Sequence, residues 1–238
     1  MAKTRTKRTM TLTAELVARV ERMERDTSPE PGLTLLTEAD YDGIAEGLLK
    51  QHSPNPLWLF AYGSLIWKPE FTALHHQRAI AYGWHRSFCL PLNSWRGTPE
   101  RPGLMLALDR GGSCEGVVYR LPDNDHHDQL RRLVRRELGY RESVRSTRWI
   151  NVRTDTGTVR ALAFYAGPNG REYAGKKSPD EVARILASAA GHMGSCAMYL
   201  YQTVTKLEEH GIHDRHLWHL QELVANHIAS AATEGSDR

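Results

Sequence analysis

The chain has 238 residues, of which 40% are hydrophobic and 25% charged, and a formal net charge of +3. Such a composition is ordinary for a soluble globular protein, and the length suits one large domain with a terminal extension. No stretch approaches the roughly 18 apolar residues of a membrane helix. The modest charge permits an anionic substrate without requiring nucleic acid.

In chain order, residues 1–10 read as a basic, disordered tail with Lys3, Arg5, Lys7 and Arg8. No apolar stretch follows them, so they are not read as a secretory signal, and a cytoplasmic location is expected. Leu12 to Arg25 has helical spacing, with Leu16, Val17 and Val20 on one face. Ser28-Pro29-Glu30-Pro31-Gly32 breaks that pattern. A second helix is predicted from Thr37 as N-cap through Leu48 and Leu49, with Pro54 and Pro56 stopping it.

Leu57 to Ala166 reads mainly as strands. Leu57–Ala61, Ala79–Leu90, Leu104–Leu108, Gly116–Leu121, Val144–Val152 and Val159–Tyr165 are apolar, β-branched, aromatic or alternating. Asp155-Thr156-Gly157 suits a tight hairpin. One helix, Asp125 to Leu138, interrupts the strands, and three close the chain: Ser178–Ala189, Ser195–His210 and Arg215–Ala229. Strands, a helix, strands and then helices suit an α+β domain rather than a doubly wound sheet. The predicted organisation is an N-terminal extension over 1–55, a catalytic domain over 56–230 and a disordered tail over 231–238.

Several features carry less than they promise. Cys89, Cys114 and Cys196 lie far apart without a CxxC pair, and read as reduced and mostly buried rather than as a disulfide or zinc set. His210, His213, His216 and His219 recur every third residue, but Gly211 breaks the helix between them, and no metal site is assigned. The arginines between Arg131 and Arg148 lack the interleaved aromatics of a stacking platform, and read as a solvated helix face that steers an anion.

Two features point to chemistry. Tyr62-Gly63-Ser64-Leu65-Ile66-Trp67 follows a strand that breaks at a glycine, and such a turn leaves consecutive N–H groups able to hold an anion or oxyanion. The plainer alternative is a simple turn with Trp67 in the core. The second feature is Glu137. At about 100° per residue it falls within the apolar stripe of Leu130, Leu133, Val134 and Leu138, with Arg131, Arg132, Arg135 and Arg136 on the solvent side. It is either a structural partner of a neighbouring arginine or a buried carboxylate suited to proton transfer near neutral pH.

The stretch Phe60 to Trp67, then Gly83-Trp84-His85-Arg86-Ser87-Phe88-Cys89 and Arg96-Gly97-Thr98-Pro99, resembles the ChaC-type γ-glutamylcyclotransferases. So do Gly116-Val117-Val118-Tyr119-Arg120-Leu121, Arg136-Glu137, Gly194-Ser195 and Tyr199-Leu200. The resemblance implies a small mixed β-barrel with flanking helices. It implies cleavage of glutathione to 5-oxoproline and cysteinylglycine without metal or cofactor. Tyr62, Gly63, Ser64, Leu65, Ile66 and Trp67 carry over as the substrate loop, and Glu137 as the catalytic residue. Many relatives have a glycine pair or an insert where this chain has only Leu138-Gly139-Tyr140. Tyr140 is therefore assigned no role.

The expected partner is glutathione, with no nucleic acid and no membrane. Two alternatives stay open: action on other γ-glutamyl amides or amino acids, and a non-catalytic γ-glutamyl-binding regulator.

Overall fold

The computed structural model describes residues 9–26, 28–30, 32–52, 56–167 and 177–236, and no side chains beyond residue 231. Strands β1 (Trp58–Ala61), β2 (His75–Leu92), β3 (Gly103–Arg120), β4 (Thr147–Thr154) and β5 (Gly157–Phe164) close into a barrel in the order β1-β3-β2-β4-β5. Closure comes from a parallel contact between β1 and β5 at Leu59 and Leu162; the other pairings are antiparallel. A closed barrel leaves no sheet edge open to other chains. Both faces of the barrel wall are covered by apolar packing: the neighbours Leu59 and Phe60, and Val117 and Val118, point to opposite faces, and all are fully buried, as are Val152 and Leu162.

The strands predicted at Leu104–Leu108 and Gly116–Leu121 are one strand, β3, paired along its length with β2. Gly111 and Gly112 have φ of 104° and 67° and lie opposite Gly83 at 80°. These glycines let both strands bend at a register shift instead of ending, since a left-handed backbone is cheap only without a Cβ. The tight hairpin appears as expected, with Thr154 paired to Gly157. The predicted Val144–Val152 strand begins later, after a 3₁₀ turn at Arg141–Ser146.

Helices α2 (Glu38–Gln51), α3 (Ser64–Trp67), α4 (His126–Glu137), α5 (Pro179–Ser188), α6 (Cys196–Glu209) and α7 (Arg215–Ser236) flank the barrel. Thr37 caps α2 as predicted, and Ser178 caps α5 with Pro179 in its first turn; both complete capping boxes. Gly211, with φ of 73°, separates α6 from α7. The last helix continues to Ser236, which corrects the expectation of a disordered tail from 231. Residues 1–8 of the expected basic tail lie outside the described residues.

The N-terminal helix α1 (Ala14–Val20) is shorter than the predicted Leu12–Arg25 and packs on α6 and α7. It stops because the following residues are used elsewhere. Glu21 accepts the Ser195 N–H at 2.8 Å, and Arg22 donates to Ser188 O at 2.7 Å. Further along, Leu36 N–H donates to Gly139 O and Arg141 N–H to Thr34 O. The N-terminal extension is thereby laced to the residues directly after Glu137.

Candidate active site

β1 delivers the chain to Gly63, whose φ of −143° and ψ of −126° turn it into the single helical turn α3. Leu65 and Ile66 are buried and anchor that turn in the core. The Tyr62 side chain also points inward; its hydroxyl meets the Leu108 backbone, and burial pushes its pKa up. The Tyr62 carbonyl is held from below by Arg86, whose Nε donates to it at 2.7 Å. Arg86 is almost fully buried and is neutralised by Asp214 at 2.7 Å. Trp67 lies at the rim, its indole Nε1 donating to Thr203 Oγ1 at 3.1 Å. Of the six expected loop residues, then, Tyr62, Leu65 and Ile66 are anchors. Gly63 is buried as well, and Ser64 and Trp67 are the partly exposed residues of the six.

Tyr199 of α6 organises that backbone. Its hydroxyl accepts the Ser64 N–H at 3.3 Å, and a Cβ placed on Gly63 would lie 2.9 Å from the same oxygen. The space beside Gly63 therefore has no room for a Cβ unless Tyr199 shifts. Tyr199 stacks edge-on with Trp67 at 5.5 Å and Phe88 at 6.2 Å, and its burial raises its pKa.

Glu137 is the last residue of α4, its side chain 19% exposed. Its carboxylate pairs with Arg136 Nη1, the ion pair anticipated by the plainer reading of this glutamate. That guanidinium also reaches the chain just after the Tyr62–Trp67 loop: Arg136 Nη2 donates to Lys68 O, and Nε lies 3.4 Å from Glu70. The expectation that Arg136 faces solvent with Arg132 is therefore corrected. Arg132 is 77% exposed and Arg136 only 14%, and burial lowers the Arg136 pKa. One guanidinium thus links Glu137 to the residue that follows Trp67.

Arg96 opens the Arg96-Gly97-Thr98-Pro99 motif. Its guanidinium lies 5.9 Å from the Trp67 ring centroid and 5.4 Å from that of Tyr199. The neighbouring Trp95 ring packs 3.7 Å from where a Gly139 Cβ would be, two residues past Glu137. Tyr140, left without a role, is buried, and its hydroxyl accepts the Glu30 N–H at 3.0 Å. Cys89, Cys114 and Cys196 are free and buried as expected, and burial pushes each thiol up to about 11. A thiol so protonated near neutral pH is a poor nucleophile.

Elsewhere, a cleft of about 850 Å³ opens between α2 and the 3₁₀ turn, lined by Gly43, Gly47, Arg141 and Arg145 among others. None of the expected site residues lines it. Among the described residues, no group of three His, Cys, Asp or Glu side chains is placed to hold a metal ion. Among the described residues, no helix is long and apolar enough to cross a membrane.

Comparison with known proteins places these features in context. Residues 57–227 match the model of the ChaC-like protein family. A glutathione-specific γ-glutamylcyclotransferase of Escherichia coli (strain K12) is 34% identical over 186 residues, covering 78% of this chain and 80% of that protein. A glutathione-specific γ-glutamylcyclotransferase 1 of Danio rerio is 32% identical, covering 60% of this chain and 75% of its own length. Among solved structures, a γ-glutamyl cyclotransferase specific to glutathione from yeast superposes with a TM-score of 0.64. At 22% identity it covers 73% of this chain and 97% of its own, and that likeness concerns the fold.

Proposed function

We propose that this chain, which belongs to the ChaC-like protein family, degrades glutathione by cyclising its γ-glutamyl group, releasing 5-oxoproline and cysteinylglycine. The observation that carries the reading is the convergence of a carboxylate and a glycine-turned loop. Arg136 contacts both Glu137 and Lys68 O, and Tyr199 on the other side receives the Ser64 N–H.

The substrate's α-amine attacks its own γ-carbonyl. Because this is intramolecular, the protein's main task is to fold the γ-glutamyl arm into the attacking shape. The amine attacks only once the ammonium has lost a proton, and Glu137 takes it. A new C–N bond closes the five-membered ring, and the N–H groups of Gly63 and Leu65, that of Ser64 being given to Tyr199, are assigned to the oxyanion or the α-carboxylate. The old C–N bond then breaks as Glu137 returns a proton to the departing nitrogen. The two protons lost by the α-ammonium equal the two gained by the departing ammonium, so the exchange balances. This route forms no covalent enzyme intermediate, which agrees with the buried, protonated thiols. Glutathione supply fits the cytoplasm, which we take as the working location, and the route calls for no nucleic-acid partner.

The test is to follow 5-oxoproline and cysteinylglycine together from purified protein and reduced glutathione, with Glu137→Gln alongside. Equimolar release from the wild type, lost in a folded variant, is the expected result. Saturable glutathione binding without either product would favour a binding protein instead, and turnover of other γ-glutamyl compounds alone would move the substrate.

A further inference from the structure

The loop joining β2 to β3 holds a strained residue beside a cation that makes no ion pair among the described residues. Trp95 has φ of 61°, a left-handed conformation that a bulky side chain rarely adopts. Its surroundings enforce it. Met193 N–H donates to Trp95 O at 2.7 Å, and a Cβ on Gly191 would lie 2.3 Å from that oxygen. On the other flank, a Cβ on Gly97 would lie 2.3 Å from Leu92 O and 2.4 Å from Gly103 N. Strain of this kind costs on the order of 1–3 kcal/mol and persists where the surrounding structure over-determines it. The next residue, Arg96, turns inward over Trp67 and Tyr199.

Arg96 is partly buried, and desolvation lowers its pKa. Yet its described hydrogen bond goes to a neutral acceptor, Ser195 O, at 3.1 Å from Nη1. No carboxylate among the described residues reaches it within ion-pairing distance; Glu21, which acts on it electrostatically, is engaged by the Ser195 N–H at 2.8 Å. Arg86 makes the contrast. Where the fold buries that guanidinium, it supplies Asp214 at 2.7 Å and two backbone carbonyls, Tyr62 O and Glu115 O. A desolvated cation with one neutral acceptor and no ion pair is costly unless an anion arrives to complete it. A planar fork stacked on aromatic rings is well suited to bind a carboxylate.

We infer that Arg96 anchors a carboxylate of the substrate and thereby sets which γ-glutamyl compounds are accepted, an inference that rests on the cyclotransferase reading above. Glutathione offers two carboxylates, one on the γ-glutamyl α-carbon and one on glycine. Only one can occupy the Arg96 fork in a given pose.

The experiment compares wild type with Arg96→Gln on glutathione and on its two mono-amides, one at each carboxylate, by steady-state kinetics. Calorimetric binding in a Glu137→Gln background, where turnover is stopped, runs alongside. Arg96→Gln is expected to raise the glutathione KM and Kd roughly tenfold or more, as for loss of hydrogen bonds to a charged group. For one mono-amide the wild-type penalty should vanish in the variant, and that amide identifies the carboxylate. Arg96→Lys, which keeps the charge but not the fork, should recover part of the loss, and it replaces Arg96→Gln if the latter does not fold.

If both amides keep their full wild-type penalty in the variant, Arg96 is a packing residue and the inference is overturned while the cyclotransferase reading stands. If wild-type protein neither turns over nor binds glutathione, both fall. If it binds without turnover, the reading fails and the calorimetric comparison decides Arg96 by itself.

Discussion

The hydroxyl of Tyr199 accepts the backbone N–H of Ser64 at 3.3 Å, so a side chain from α6 sets the path of the loop that leaves β1. Gly63 lies directly beneath that contact. A Gly63→Ala Cβ would stand 2.9 Å from Tyr199 Oη, and an oxygen held by a buried ring cannot move aside cheaply. The expected outcome is a fall in kcat/KM of about tenfold to a hundredfold, as for small misplacements of reacting groups. Melting should shift by only a few degrees. A variant with full activity would mean that the loop's path does not matter to turnover.

Glu137→Gln keeps the size of the side chain and removes its ability to take a proton. Turnover should drop by about 10²–10⁴-fold, the range of general acid–base catalysis, with glutathione affinity changed far less. Single-turnover product formation checks this. An equal loss in binding and in rate would make the residue a structural partner of Arg136 only.

Asp214→Asn removes the countercharge of Arg86, whose side chain is only 2% exposed. Breaking a buried pair from one side costs roughly 3–5 kcal/mol. At about 2–4 °C per kcal/mol for a chain of this size, the melting temperature should fall by about 10 °C. Because Arg86 also holds Tyr62 O, activity should fall below the melting transition as well.

Tyr140→Phe deletes the acceptor for the Glu30 N–H. A loss of about 1 kcal/mol in stability is expected. Proteolysis should become faster between residues 21 and 36 than elsewhere, since the hydroxyl ties the N-terminal extension to the segment after Glu137. Limited digestion with mass spectrometry reads this directly.

Burial raises Cys89, Cys114 and Cys196 from 9.0 to about 11. In the unfolded chain these thiols ionise at lower pH, so between about pH 9 and 11 the folded state binds more protons. Stability from this source is therefore complete below pH 9 and is lost as pH rises toward 11. Melting temperatures should decline across that window. At pH 8 a thiol reagent should react slowly in native protein and fully after denaturation.

Local rules account for what was legible without coordinates. Thr37 and Ser178 as caps, Pro179 in a first turn, Gly211 between helices and the Thr154–Gly157 hairpin all depend on residues within a few positions of each other. The α+β class and the barrel were likewise expected, from element order and from motifs spread between Phe60 and Leu200. Where local reading failed, a distant partner had intervened. Gly111 and Gly112 look like a strand end, yet pairing with β2 carries β3 through them. Helical spacing extends beyond Val20, but contacts with Ser188 and Ser195 draw that segment out of the helix.

The site divides in the same way. Sequence alone determined the residue types: a glycine after an apolar strand, a glutamate within an apolar helical stripe and an arginine before a glycine in Arg96-Gly97-Thr98-Pro99. Helical periodicity assigned Arg136 to solvent because it describes one helix and says nothing of what packs beside it. Only the tertiary structure decided that Arg136 bridges Glu137 to Lys68 O, that Tyr199 fills the space a Gly63 side chain would need, and that Arg96 is turned inward while Arg86 alone receives Asp214. Charge pairing and steric exclusion are properties of positions brought together from far along the chain, and no local pattern encodes which charges the fold leaves for a ligand to complete.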